Sequence, residues 1–495
     1  MRGVAIAFVA CLAIGCGADA AGERAQRSGR AIVDVRPDGG FTTLLRGESP
    51  DHFDGPRDVA ATPDGGVVVV GGTESPDFPT TPGVHQRRFA SGGTKLGSFP
   101  EMDVFVTRLH RDGRVAWSTL LGGPNYDRAY AVEVDARGFV VVAGRAGDGF
   151  PTTDGALQPG FAGDDAPNRA YGPQDGFVAR FDPRGRLVWS TYLGGPSFGF
   201  VRDIDLDTDG NVYAALRGSG PFPYVTPGAF QTQPGGGSDD VLVKLDAGGG
   251  RVHWATHIAR EGDEGEPTVR VDARGRVYVL TSTTSDGWFP SGEGYQTQRA
   301  GDADLLLLRF SSDGAYEAGT YLGGSRMDAT ETHHLAIDPQ GRAVLAVFTT
   351  SPDMPIPTGA KPYRSEHGPS SHDGYVAVLS PDLDALEAAT YLGNAGSSGG
   401  FEGIGIDADG NVWAGGATGG GLAPSPDALQ AAFGGKRDAF VARFAPRLDR
   451  ATYLSYWGGP LHEGARTLTL DFGGRPVAAG QAAGDVFVLR FVPSR

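Results

Sequence analysis

The 495-residue chain has only two cysteines, Cys11 and Cys16, and no thiol after position 16. This excludes a disulfide framework, a thiolate metal cluster and a thiol nucleophile from everything beyond the N-terminus. It has no run of like charge, and its formal charge of −16 is spread along its length. That argues against a nucleic-acid track or a basic membrane-binding patch, and leaves the acidity as a solvating surface. There is no phosphate-cradling glycine loop. Apolar runs are short: the longest, GVAIAFVACLAIG at 3–15, cannot span a bilayer.

That run follows Met1-Arg2 and reads as a secretory signal over residues 1–15. Ala13-Ile14-Gly15-Cys16 is similar to a bacterial lipobox, which makes Cys16 the lipidated first residue of the mature chain. Ala13 departs from the leucine usual at that place, and Ala18-Asp19-Ala20 offers a rival site for ordinary cleavage. Lipidation is favoured, because no disulfide role is left for Cys16. Gly17, in place of an aspartate, favours the outer over the inner membrane. Residues 16–30 lack apolar periodicity and read as a flexible tether.

What the chain does contain is repetition. WSTYLGG at 189–195 returns as FTTLLRG (41–47), WSTLLGG (117–123), WATHIAR (254–260), AGTYLGG (318–324), AATYLGN (388–394) and YLSYWGG (453–459), with copies 64 to 76 residues apart. Between copies the same events recur. An alternating run ends in D-x-x-G, as in DIDLDTDG (203–210), and a second strand such as NVYAAL (211–216) follows at once. A loop rich in Gly, Pro and Thr comes next, often with a Phe-Pro anchor. A third strand then opens on aspartate in all seven copies: Asp103, Asp175, Asp239, Asp304, Asp373, Asp438 and Asp485. The 79 glycines and 34 prolines beside an ordinary 40% hydrophobic share fit many turns between short strands. Four short antiparallel strands repeated seven times predict an all-β, seven-bladed β-propeller over residues 31–495.

The run GFVARFDPRGRLVWSTYLGG (176–195), with its V-D-x-x-G-N-V-Y strand pair and FPTTPGAFQ-type loop, is similar to the bacterial SBBP repeat. The resemblance covers about residues 31–495. It implies an extracytoplasmic seven-bladed propeller and carries no common activity, so it assigns no functional residue.

The chain ends after the seventh third-type strand, and the missing fourth strand stands at the other end, in FTTLLRG. The N-terminal strand is therefore expected to complete the last blade, which removes exposed sheet edges. AIVDVR (31–36) has no assigned place; it either adds an edge strand or leads in.

Residues present in every blade serve the scaffold, so the repeated aspartates are expected to cap backbone N–H groups, the repeated Phe-Pro to pin loops, and Trp117, Trp189 and Trp254 to pack blades. Residues that vary at channel positions are where function can be written. Five residues before each hairpin aspartate, or its equivalent, stand Arg57, Tyr130, Arg202, Pro267, His333, Glu402 and Arg466. Arg57, Tyr130, Arg202, His333, Glu402 and Arg466 are the candidate ligand-binding residues at the channel mouth, where forked guanidinium donors suit a carboxylate, sulfate or sugar. The bland alternative is a set of charges that solvates a pore and pairs internally. Ala60, Glu133, Asp205, Arg270, Ala336, Gly405 and Thr469 are expected to line the channel. DLDTDG (205–210) opens like a calcium loop but has Leu216 at its twelfth position. His333 and His334, adjacent on a strand, face opposite ways and cannot chelate together.

These readings give an exported, lipid-anchored, monomeric binding module of the bacterial envelope, with a protein or polysaccharide ligand on its loop face, no cofactor, no metal and no catalytic residue. The alternatives from other classes are a channel-based lyase or metal-assisted hydrolase, and a purely structural envelope protein.

Overall fold

Each blade starts from the same local chemistry: β-branched and aromatic runs that favour pleated backbone, joined by turns in which glycine supplies a positive φ. In the computed structural model, which describes residues 30–47, 52–92, 98–163, 171–196, 198–289, 291–331, 333–393 and 400–492, Gly210 closes the first hairpin of blade three at φ 80°. The leader, Cys16 and the tether up to residue 29 lie outside the described residues.

Seven antiparallel sheets form a ring, and among the described residues there is no helix. The first strand of each blade is innermost: Asp54–Ala61, Arg128–Val134, Phe198–Leu206, Glu264–Val271, the broken pair Asp328–Ala329 and Leu335–Ile337, Gly400–Ile406 and Glu463–Leu470. Each touches its counterpart in the next blade, and the last touches the first, so the all-β seven-bladed propeller is closed.

The closure joins the two ends of the chain. Strand Phe41–Arg46 pairs with Asp485–Arg490, setting Phe41 opposite Arg490 and Leu45 opposite Val486. Arg30–Val35 then pairs outside Phe41–Arg46, so the seventh blade carries a fifth, largely exposed edge strand.

The core lies between blades rather than within them. Val68, Val104 and Val106 of blade one, for example, pack on Val132, Val142 and Phe177 of blade two. The scaffold residues act as anticipated. Trp117, Trp189 and Trp254 each donate an indole N–H, at 3.0 Å, to a turn carbonyl of the following blade: Pro183, Ala247 and Ser312. Arg108, Arg180 and Lys244 donate to turn carbonyls across the same seams, Arg309 does so from blade four to Pro381 of blade five, and Arg490 from blade seven to Arg111 of blade one. Phe78, Phe150, Phe222 and Phe289 are buried under their loops. Six of the strand-opening aspartates accept a loop N–H, as Asp103 does from Ala90 at 2.9 Å and Asp373 from Gly368 at 2.7 Å. Asp485 has no such loop and instead pairs with Arg46 of the closing strand at 3.4 Å.

Candidate functional site

The candidate residues share a backbone feature that sequence alone does not show. In six blades the first strand carries a β-bulge, and the bulged residue is Arg57, Tyr130, Arg202, Glu266 with Pro267, Glu402 or Arg466. An extra residue in one strand cannot pair across the ladder, so its side chain is re-aimed. Here the bulges lie at the start of the inner strands, at the end of the ring where the long loops emerge.

Three of the six candidates meet there. The guanidinium groups of Arg57 and Arg202 each lie 5.0 Å from the centre of the Tyr130 ring. Glu331, which sequence reasoning missed because no repeat copy marks it, accepts from Arg202 at 3.3 Å and lies 4.0 Å from Arg57. Glu266 pairs with both Arg202 and Arg217. Glu402 and Arg466 form their own pair at 3.6 Å. Burial pushes the Glu402 carboxyl up to about 7, against the pull of Arg466. Burial likewise raises Glu331, but Arg202, Arg57 and Arg466 outweigh it and hold that carboxyl below its ordinary value.

Two further arginines were missed: Arg128 and Arg145 of blade two, 8% and 5% exposed. Arg145 lies 5.1 Å from the centre of the Tyr130 ring and Arg128 lies 5.9 Å from it, so four guanidinium groups surround one phenol. Burial alone raises the Tyr130 hydroxyl; the four arginines, Arg145 foremost, bring it down to about 8. Burial, reinforced by Arg128, lowers Arg57 to about 10. The Tyr130 shift, which runs against burial, reports a positive potential around that phenol, while burial of Arg202 is outweighed by Glu266 and Glu331, which hold it above its ordinary value. Arg128 also moves up, burial being outweighed by the Tyr126 and Tyr130 hydroxyls rather than by a carboxylate.

His333 belongs to a deeper layer than the mouth where sequence placed it. It lies between the two halves of the broken first strand of blade five, at φ 61°, and is 3% exposed. Its Nδ1 stands 3.3 Å from Asp203, and its Nε2 stands 3.5 Å from Asp58 and 3.2 Å from the Tyr130 carbonyl. Arg270 donates to Asp203 at 2.6 Å. The two aspartates are also tied to the neighbouring inner strands, Asp58 accepting from Val132 N–H at 2.8 Å and Asp203 from Val269 N–H at 3.0 Å. Burial draws the His333 imidazolium down, but Asp58 and Asp203 outweigh it and hold its pKa above the ordinary value. His334 faces away from that pair and is lowered to about 3 by burial.

Below this throat a cavity of about 500 Å³ opens at the hairpin end of the ring. Its lining includes Ala60, Glu133, Arg270 and Thr469, four of the residues expected along the channel. Glu133 is held well above the ordinary carboxylate range, first by burial and then by Asp205, which burial raises to about 6. The calcium-like stretch is used for turns: Asp207 accepts from Asn211 N–H at 2.9 Å, while Asp205 caps Val271 of the next blade at 2.6 Å. Among the described residues, no group of three or more His, Cys, Asp or Glu is disposed to hold a metal ion.

No protein-family model matches the chain, and no curated protein matches it. Solved structures do. The chain is similar to the WD40 β-propeller domain of Doa1 at 11% identity and a TM-score of 0.43, covering 90% of this chain and 94% of that one. A protein of unknown function from Dyadobacter fermentans DSM 18053 gives 13% identity and 0.43, covering 93% and 99%. BamB from Moraxella catarrhalis gives 13% and 0.33, covering 80% and 95%. At such identities and scores the likeness says nothing of function, and the architecture rests on the chain's own sheets.

Proposed function

We propose that this propeller is an exported, lipid-anchored binding module of the bacterial envelope, and that it recognises a protein or polysaccharide at the arginine-bearing mouth of the ring. The N-terminal signal with Cys16 and the resemblance to an exported repeat family support the location, and Gly17 favours the outer membrane. The observation that carries the function is the convergence of the bulged residues Arg57, Tyr130 and Arg202, where cation outnumbers carboxylate. A rigid ring that points blade-specific side chains at one opening suits recognition by several loops and strands at once.

The mature chain used as bait against envelope extract and polysaccharide should retain a partner. Changing Arg57 and Arg466 together to Ala should weaken that capture at least about tenfold, the scale of one lost charge-assisted contact. An equal melting temperature in the two baits would confirm that the loss is local. Retention of no partner, or equal retention by the variant, would turn the reading toward chemistry in the channel or a structural role. Separately, Cys16→Ala should abolish incorporation of a labelled fatty acid; continued labelling would refute the lipid anchor.

A further inference from the structure

Arg128 and Arg145 are direct cross-strand partners in blade two. Like charges placed opposite one another destabilise a sheet, and burying them makes the cost larger. The same two register positions in the other blades hold Gly55 and Gly72, Phe200 and Arg217, Gly265 and Ser282, Ala329 and Phe348, Gly400 and Ala417, and Gly464 and Gln481. Blade two alone opposes two cations. Space has been made for one of them: a Cβ on Gly55 of blade one would come within 3.0 Å of the Arg128 side chain, and so would one on Gly72.

Blade three shows what a compensated version looks like. Arg217, at the position of Arg145, pairs with Glu266 of the following blade and donates to Ser238 at 3.0 Å. Arg145 meets aromatic faces instead, with its guanidinium 4.0 Å from the Phe200 ring centre and 4.3 Å from that of Tyr171. Arg128 donates to the Tyr126 hydroxyl at 3.4 Å and lies 5.5 Å from the Phe53 ring centre. Among the described residues neither arginine forms an ion pair; Arg128 acts on the Glu74 carboxyl only at longer range, and the Nε of each arginine is buried without a hydrogen-bond partner. Stacked guanidinium groups keep their in-plane N–H forks free to bind an oxyanion.

We propose that Arg128 and Arg145, with Tyr130 beside them, form a binding site for a doubly charged tetrahedral oxyanion, the sulfate or phosphate group of a larger ligand. The proposal rests on reading the mouth as the recognition surface, and the two can fail separately. An anion between the guanidinium groups adds two charge-assisted contacts to the aromatic faces that already hold them, and relieves the repulsion between two opposed cations.

The test uses the mature chain with inorganic phosphate and inorganic sulfate at about 10 mM, against sodium chloride of equal ionic strength and against acetate. Phosphate or sulfate should raise the melting temperature by about 2 °C or more beyond the chloride control. The stronger of the two identifies a phosphorylated or a sulfated ligand. Arg128→Met and Arg145→Met keep the apolar stems, so each should still melt cooperatively and should lose the phosphate response; Arg145→Lys should keep part of it. In the parent itself, phosphate should protect Arg128 and Arg145 from phenylglyoxal, read by peptide mass spectrometry, so the result does not depend on variants folding. A shift no larger than chloride gives, an equal shift with acetate, or unprotected arginines would each overturn the site. Phosphate binding with no envelope partner captured would leave this site standing and remove the recognition reading.

Discussion

A chain lacking residues 31–48 should lose the cooperative thermal transition of the whole ring rather than that of one blade. Strand Phe41–Arg46 fills the fourth place in blade seven, and its Phe41 and Leu45 side chains are fully buried between blades seven and one. Burial of each is worth about 1.5–3 kcal/mol. Removing the strand also frees the edge of Asp485–Arg490 and unseats Arg490, which lies 4.7 Å over the Phe41 ring and donates to Gly65 of blade one at 2.9 Å. The hydroxyl of Thr43 crosses the same seam to the Gly113 carbonyl at 2.6 Å. Against a total stability of about 5–15 kcal/mol, these losses are sufficient to open the ring. Leu45→Ala is the graded form and should cost about 2–5 kcal/mol in urea unfolding. A truncated chain that melts at the parent temperature would show that three strands close the blade unaided.

The ring was legible because it is written seven times. The spacing of the WSTYLGG copies gave the blade count, the aspartate opening each third strand gave the loop caps, and the missing last strand gave the closure. The site was only partly legible, because its geometry depends on what the repeats do not share. Counting back from the hairpin aspartate found Arg57, Tyr130 and Arg202, yet the reason they converge is a β-bulge, which changes the register without marking the sequence. Arg128 and Arg145 become conspicuous only when paired strands are compared at equal register, where three of the other six blades hold small residues alone and none opposes two cations. Glu331 and His333 fall where blade five breaks its first strand, so no repeat template predicts their place. Tertiary charge pairing decides there what local pattern does not.

The broken strand makes the strongest single-residue prediction. His333→Ala should destabilise the chain by about 3–5 kcal/mol, the usual cost of removing one partner from a buried ion pair. Two effects contribute, and two variants separate them. Left-handed backbone at a non-glycine residue costs about 1–2 kcal/mol, so His333→Gly should be less damaging than His333→Ala by roughly that amount. The charge effect depends on Asp58 and Asp203: adding Asp58→Asn to His333→Ala should recover part of the loss, measured as a double-mutant cycle. The sign of the pH dependence follows from the raised pKa of His333. Its stabilisation is fully present below the unfolded value of about 6.5 and disappears as pH rises through the higher folded value. Urea melts at pH 6 and pH 9 should therefore show the parent's advantage over His333→Ala shrinking as the solution becomes alkaline. An advantage that grows with pH would mean that His333 is neutral in the folded ring, as burial makes His334, and that Arg270 alone balances the two throat aspartates.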